Sequence, residues 1–467
     1  MKVPFTLVVW WSIGCTVIAC VAERDGAPPD TRAPENTNPS APPSAPETSP
    51  PETAGPPDAA PKDAGPAKAL DVVCDGDPCY VTVSGNRSRH LCGLLRDGTV
   101  RCWGRDTMEP ATSATDGTVV PADGALGRGK AISETEGATP SAVVGLSDVT
   151  QLSVGPNLGT CARTSDGSVY CWGRNDSGQL GRPPSEAQLS TPRRVEGIPP
   201  VDEVQLGFET GCAIGTADRA LYCWGRTING LGIEQTGTWT FAPQLVPTFR
   251  PPVKELAIGT WTDRDTIIAL LDGGVLANIG EVLVGETSIP SWSLSSPVEL
   301  AGVQHIGAFT YVGNDALLRR WAPSSTNAAI LAQAAGLKGP VFLPTMDPVV
   351  EAKISAANIT DQSRKTTDAL RLADNQGGVL LSTGRLFRWG LNTAGTLGVH
   401  PDELAGLRAP LEIDQVKGEV VSFAIAVSST CASLVSGKVK CWGSNRYGEL
   451  GRGAVDGNAH PNAVEIR

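Results

Sequence analysis

Twelve cysteines carry the most reactive chemistry in this chain of 467 residues. Ten fall into five close pairs: Cys74 with Cys79, Cys92 with Cys102, Cys161 with Cys171, Cys212 with Cys223, and Cys431 with Cys441. Paired thiols either chelate a soft metal or oxidise to cystine. Zinc sites favour two to four residues between paired ligands, with a second pair nearby. Four of these pairs have nine or ten residues between them, which does not match. Cys74 and Cys79 have a suitable spacing but no histidine cluster beside them. The other candidates for chemistry are sparse. The four histidines, His90, His305, His400 and His460, lie in no zinc-protease or other catalytic motif. The chain has no Gly-x-Ser-x-Gly elbow and no phosphate-binding glycine-rich loop with lysine. No catalytic residue, metal ligand or cofactor is therefore assigned. A triad assembled from distant segments would leave no local signature.

The cysteine pairs sit inside a repeat. Trp-Gly recurs at Trp103, Trp172, Trp224, Trp389 and Trp442, and in four cases a paired cysteine stands just before it. Asp272-Gly273 with Ile279-Gly280, and Asp315 with Trp321, mark two weaker units. The seven anchors lie 42 to 69 residues apart. That period fits a propeller blade of four short strands and exceeds most helical solenoids. Val149–Val154 alternates apolar and polar residues, as a half-buried strand does, and Ser168–Trp172 repeats this beyond Asp166-Gly167. Asp-Gly between two such runs signals a hairpin. The odd connection predicts a three-residue turn with glycine in the left-handed position. The tails Asn175–Gly181, Asn392–Gly398 and Asn445–Gly451 supply flexibility where the chain changes blade. A tryptophan at a fixed place in each unit reads as packing between blades rather than a ligand groove. The fold class expected is an all-β, seven-bladed β-propeller. Partial units of 25 residues after Trp442 and 23 from Tyr80 to Trp103 sum to about one period. The N- and C-terminal segments are therefore expected to share one blade, with Asn462–Ile466 joining the blade begun near Tyr80.

The repeat also serves as a control for the cysteines. Four units carry both positions and three carry neither: Ile268 and Asn278, Thr310 and Arg320, Gly378 and Arg388. None carries one alone, which is the behaviour of bonded pairs rather than buried thiols.

The run Val154–Gly181, with Val-Gly, Thr-Cys-Ala, Asp-Gly-Ser-Val, Cys-Trp-Gly and Asn-x-x-Gly-Gln-Leu-Gly, resembles the repeat of the RCC1 (regulator of chromosome condensation) family. The resemblance covers about residues 80–467 and is weak over 255–330. It implies a seven-bladed propeller and, for secreted members, clamping of a protein partner on one face. The family name also implies guanine-nucleotide exchange on a small GTPase.

At the N-terminus, Met1-Lys2 precedes an apolar run from Val3 to Ala19, short for a membrane span and normal for a signal-peptide core. Val17-Ile18-Ala19-Cys20 resembles a bacterial lipobox, so residues 1–20 read as a lipoprotein signal with Cys20 lipidated. Val21 in place of aspartate leans toward the outer membrane or cell surface; plain secretion is the alternative. Residues 21–70 hold thirteen prolines and no aromatic residue. Such a segment cannot bury enough apolar surface to order itself, and reads as a tether reaching about 150 Å when extended. Residues 71–467 form the propeller.

A net charge of −11 argues against nucleic acid. The glycosylation-type triplets at Asn86, Asn175 and Asn358 read as chance. The long spacings at 105–147 and 322–375 mark insertions. The first reads as a loop, and the two together are the expected partner surface. The functional expectation is an exported, membrane-anchored, monomeric lipoprotein of the cell envelope. Its propeller would be a non-enzymatic scaffold for an unknown protein or envelope polymer. The alternatives are a guanine-nucleotide exchange factor and a polysaccharide-active propeller enzyme.

Overall fold

A computed structural model describes residues 70–467 except 108–123, 131, 185–187, 227–240, 247–251, 262–263, 285–286, 291–297, 301–302, 307–309, 314–317, 321–376, 382 and 405. The chain divides into two units, Met1–Ala59 and Ala60–Arg467, and the described residues belong to the second. Cys20, the stretch 21–69 and the 322–375 insertion lie outside them.

Seven antiparallel sheets follow one another along the sequence. Blade 1 comprises β1 (Tyr80–Ser84), β2 (His90–Leu95), β3 (Val100–Gly104) and β4 (Ser141–Ala142). Blade 2 comprises β5 (Val149–Val154), β6 (Gly159–Thr164), β7 (Val169–Arg174) and β8 (Gln188–Arg194). Blade 3 comprises β9 (Val201–Leu206), β10 (Thr210–Gly215), β11 (Leu221–Gly225) and β12 (Gln244–Leu245). In blade 4, β13 (Val253–Trp261), β14 (Arg264–Leu271) and β15 (Val275–Val284) form the body, and both β16 (Thr287–Pro290) and β17 (Val298–Leu300) pair with β15. Blade 5 shows β18 (Val303–Ile306), β19 (Thr310–Gly313) and β20 (Leu318–Arg320). Blade 6 shows β21 (Gly377–Leu380), β22 (Leu386–Leu391) and β23 (Gly406–Glu412). Blade 7 comprises β24 (Val420–Ile425), β25 (Ser429–Leu434), β26 (Val439–Ser444) and β27 (Ala459–Glu465). The all-β propeller expected from the period is thus the fold, and residues 255–330 contribute two sheets rather than one.

Local chemistry explains why each unit folds this way. In the hairpin of blade 1, Gly98 takes φ +79°, and its amide donates to the Leu95 carbonyl at 3.1 Å. This is the three-residue turn with a left-handed glycine. The glycine after each tryptophan has a second reason. Gly104 sits at φ +106°, and a Cβ there would meet the Arg89 carbonyl oxygen at 2.6 Å. Only glycine combines that dihedral with that approach.

The core lies between blades. Blades 1 and 2 share a cluster containing Leu94, Val100, Leu126, Val154 and Trp172. Blades 6 and 7 share another containing Leu386, Phe423 and Trp442. Blade 7 meets blade 1 in a third, with Tyr80, Leu91, Trp103, Leu450 and Ile466.

Closure of the ring departs from the expectation. Asn462–Ile466 does not join the blade of Tyr80: β27 pairs with β26 and completes blade 7. Blade 1 already owns a fourth strand, β4, beyond its insertion, so no edge is left open there for the C-terminus. The two blades close by packing, with β1 against β24, and by a clasp ahead of β1. The amides of Val73, Asp75 and Tyr80 donate to the carbonyls of Val435, Ser436 and Gly437 at 2.6, 3.0 and 2.8 Å.

The described part of the 105–147 stretch is also more ordered than a loop reading allows. It contains a helical turn, Glu134–Gly137, closed by a capping box between Ser133 and Glu136.

Candidate binding face

The tryptophans join neighbouring blades. Trp103, Trp172, Trp224 and Trp442 are fully buried. Each indole N–H donates to one backbone carbonyl of the preceding blade: Glu449 at 2.9 Å, Ala125 at 3.0 Å, Gln179 at 2.7 Å and Thr396 at 2.9 Å. These acceptors occupy one position, the x of Gly-x-Leu-Gly. Trp389 is buried opposite Gly377.

An Asn holds that turn in place. The side-chain oxygens of Asn175, Asn392 and Asn445 accept from the amides of Leu180, Leu397 and Leu450 at 3.0, 2.8 and 3.3 Å. In blade 1 Asp106 does the same for Leu126 at 2.8 Å. Residues 108–123 of the first insertion therefore separate a capping residue from the Gly124–Gly127 turn it caps. The substitutions Asn→Asp and Gln→Ala, with the added length, hid this unit from sequence reading.

Among the described residues, five disulfides are present. Cys92–Cys102, Cys161–Cys171, Cys212–Cys223 and Cys431–Cys441 each join opposed residues of a second and a third strand, with Cα–Cα distances of 4.1 Å. Cys74–Cys79 closes the loop ahead of β1. In blade 6 the same register pairs Gly378 with Arg388. The fully buried Arg388 fills the space a cystine takes elsewhere: a Cβ on Gly378 would meet its Cδ at 2.8 Å. Its Nη1 donates to Thr430 at 2.7 Å, its Nε and Nη2 find no acceptor, and burial pushes its pKa down to about 9.

Other buried polar groups are also spent on architecture. His90 bridges blades 1 and 2, with Nδ1 2.6 Å from Ser88 Oγ and Nε2 2.8 Å from Thr160 Oγ1; burial pushes its pKa down to about 3. Asp265 accepts from the amides of Phe208 and Glu209 at 2.9 and 2.8 Å and from Thr260 at 2.7 Å, tying blade 4 to blade 3. Burial raises its pKa against those bonds. Among the described residues, no group of three or more His, Cys, Asp or Glu could hold a metal ion. An open groove of about 570 Å³, lined by Val73, Asp75, Glu419, Lys438, Lys440 and Glu465, mixes both charge signs.

Antiparallel order puts the turn between first and second strands, and the segment leaving the third strand, on one face. The residue after Trp-Gly projects there: Arg105, Arg174 and Arg226 in blades 1 to 3. Arg174 pairs with Asp176 at 2.7 Å, and Arg226 with Glu209 at 3.0 Å. At the seam of blades 7 and 1 the pattern changes. The guanidinium carbons of Arg89, Arg105 and Arg446 lie 5.3, 4.6 and 5.6 Å from the centre of the Tyr447 ring. Beneath them is the buried Glu449, whose Oε2 accepts from the Tyr447 amide at 2.7 Å. Burial pushes Glu449 up to about 7 against the pull of Arg89 and Arg105. The arginine after Trp-Gly was visible in the sequence. The seam was not, because Arg89 and Tyr447 lie at opposite ends of the propeller sequence.

Residues 166–214 and 149–179 match the two profiles for the regulator of chromosome condensation (RCC1) repeat. Residues 149–214 thus carry RCC1 repeats. It is 32% identical over 331 residues to the E3 ubiquitin-protein ligase HERC2 of Homo sapiens, a match covering 66% of this chain and 6% of the ligase. The chain thus spans a small fraction of that relative. It is 24% identical to the ultraviolet-B receptor UVR8 of Arabidopsis thaliana, over 83% of this chain and 82% of the receptor. Among solved structures, Prp20p of Saccharomyces cerevisiae superposes with a TM-score of 0.56 at 18% identity, covering 80% of this chain and 87% of that one. That likeness shows the RCC1 propeller fold.

Proposed function

We propose that this RCC1-repeat chain is an exported lipoprotein of the cell envelope, lipidated at Cys20. Its propeller binds a protein partner without catalysing a reaction. The monomeric head sits on a proline-rich tether. One observation carries the binding reading: the buried polar groups that recur from blade to blade lock neighbouring blades together, while the face at the blade 7–blade 1 seam carries a charged, partly exposed cluster. The all-or-none cysteine pattern and the apolar run before Cys20 support export. The test is recovery of a partner from envelope extracts by the full chain, alongside radiolabelled palmitate incorporation. Cys20→Ala is expected to abolish the label and leave partner recovery intact. Cytosolic recovery with all cysteines reduced would sink the reading.

A second reading is nucleotide exchange, since Prp20p is described with binding properties toward Gsp1p and histones. It predicts accelerated nucleotide release from a small GTPase, and export would keep the two apart.

A further inference from the structure

We propose that the Cys74–Cys79 cystine is a site of thiol–disulfide exchange, and that its opening by an external dithiol frees the clasp from blade 7. Neither the lipid anchor nor a partner is needed for this chemistry.

The lower ends of the blades show which of the two cysteines belongs to the propeller frame. A pair of main-chain bonds recurs between successive blades. The leading amide of a first strand donates to the hairpin of the blade before it. These bonds run from Val149 to Gly98 at 3.0 Å, from Val201 to Gly167 at 2.9 Å, from Val253 to Arg219 at 2.9 Å and from Val420 to Gly384 at 3.2 Å. The blade's own hairpin then donates to the residue just before that strand. Ser165 bonds Asp148 and Thr216 bonds Pro200, both at 2.9 Å, and Val435 bonds Glu419 at 2.8 Å. At the seam of blades 7 and 1 the same pair is made by Tyr80 to Gly437 at 2.8 Å and Arg96 to Cys79 at 2.9 Å. Cys79 thus holds the frame position of Asp148, Pro200 and Glu419. Cys74 belongs to the clasp, whose bonds from Val73 and Asp75 to Val435 and Ser436 stand outside the repeated pair. The bridge fastens one to the other.

Access separates this cystine from the other four. All eight hairpin cysteines are 0% exposed. Cys79 is also buried, and a Cβ on Gly437 would meet its Sγ at 2.7 Å, so blade 7 shelters that sulfur. Cys74 is partly exposed and stands between the exposed Val73 and Asp75. Exchange requires a thiolate to reach a sulfur, so Cys74 is the point of attack. One thiolate of the dithiol bonds to Cys74 Sγ, the cystine bond breaks, and Cys79 leaves as a thiolate and takes up a proton. The second thiol gives up its proton and attacks the mixed disulfide, which releases Cys74 and leaves the reagent as a disulfide. Two electrons pass from the dithiol to the cystine.

Opening changes what holds the clasp. Its remaining contacts are the Val73 and Asp75 bonds, the Arg96 guanidinium on the Val72 carbonyl, and Leu70 beside Gly384 of blade 6. Hydrogen bonds at the surface exchange readily for water and stabilise weakly. Val73 and Asp75 also form one wall of the 570 Å³ groove, against Glu419, Val435, Ser436 and Lys438. A freed clasp removes that wall, so the thiol state sets the shape of this face.

The test treats the oxidised full chain with dithiothreitol under native conditions, followed by timed alkylation and peptide mass mapping. Cys74 and Cys79 are expected to take up label at least about tenfold faster than any hairpin cysteine, with circular dichroism unchanged. Hydrogen exchange at the Val73 and Asp75 amides should then quicken about tenfold, while Tyr80 and Val149 keep their protection. A Cys74→Ser, Cys79→Ser chain that folds should show the fast exchange with or without reductant. Hairpin cystines opening as fast as Cys74–Cys79, or a Cys74–Cys79 bridge that resists until the chain unfolds, would overturn the exchange site. Unchanged Val73 and Asp75 amides after reduction of wild type would overturn the release of the clasp.

Discussion

Glu449 offers a perturbation whose sign and size follow from the structure. It occupies the position that Gln179 holds in blade 2, and both side chains make the same bond. Gln179 Oε1 accepts from the Ser177 amide at 2.9 Å, as Glu449 Oε2 does from Tyr447 at 2.7 Å. Glutamine therefore fits the Glu449 site by the protein's own precedent. Burial raises the Glu449 carboxyl from 4.5 to about 7, with Arg89 and Arg105 opposing. A folded pKa above the unfolded one means the folded state holds the proton more tightly. This group's contribution is then fully present below pH ~4.5 and is lost as pH rises toward ~7. A shift of about 2.5 units corresponds to about 3 kcal/mol at most. Glu449→Gln should thus match wild type near pH 4.5 and gain on it progressively up to about pH 7, by as much as ~3 kcal/mol. Urea denaturation of both proteins at closely spaced pH values isolates the term, because every other titrating group cancels in the difference. A Glu449→Gln protein less stable than wild type at pH 7.5, or a difference that does not vary with pH, would refute the reasoning.

Three further outcomes are expected. Gly378→Cys with Arg388→Cys should form a sixth disulfide, because those residues share the register of the four hairpin cystines. Gel shift after alkylation checks it, and the gain is at most about 3 kcal/mol in the chain-entropy model. Trp224→Phe removes the donor to the buried Gln179 carbonyl and should cost about 1–3 kcal/mol in chemical denaturation, whereas a role only in filling space would cost less. His90, with its pKa pushed down to about 3, should show no imidazole titration by NMR between pH 5 and 8. Its depressed pKa makes it a source of acid lability, growing as pH falls below the unfolded value near 6.5.

Much of the fold was legible because each blade repeats a local contact. Trp-Gly spells out a buried indole followed by a backbone that turns through φ +98° at Gly173. Asp166-Gly167 spells out the hairpin that brings Cys161 opposite Cys171. What failed to show was set by long-range geometry. The lengths of the terminal segments suggested a shared blade, yet length says nothing about whether β4 has already filled that edge. Asp106 and Gly124–Gly127 form one functional turn in space while standing far apart in sequence. The Arg89–Arg105–Arg446–Tyr447 cluster exists only once the ring closes, so no window of sequence contains it.

Export, as proposed, would hold the disulfide-bonded head outside the cytoplasm. The most direct test is the intact mass of the chain purified from its own cells, with and without thiol alkylation. The expected result is a chain beginning at Cys20 with acyl mass added, and ten further cysteines that take up alkylating reagent only after reduction. A chain still beginning at Met1, with those cysteines alkylated before reduction, would contradict it.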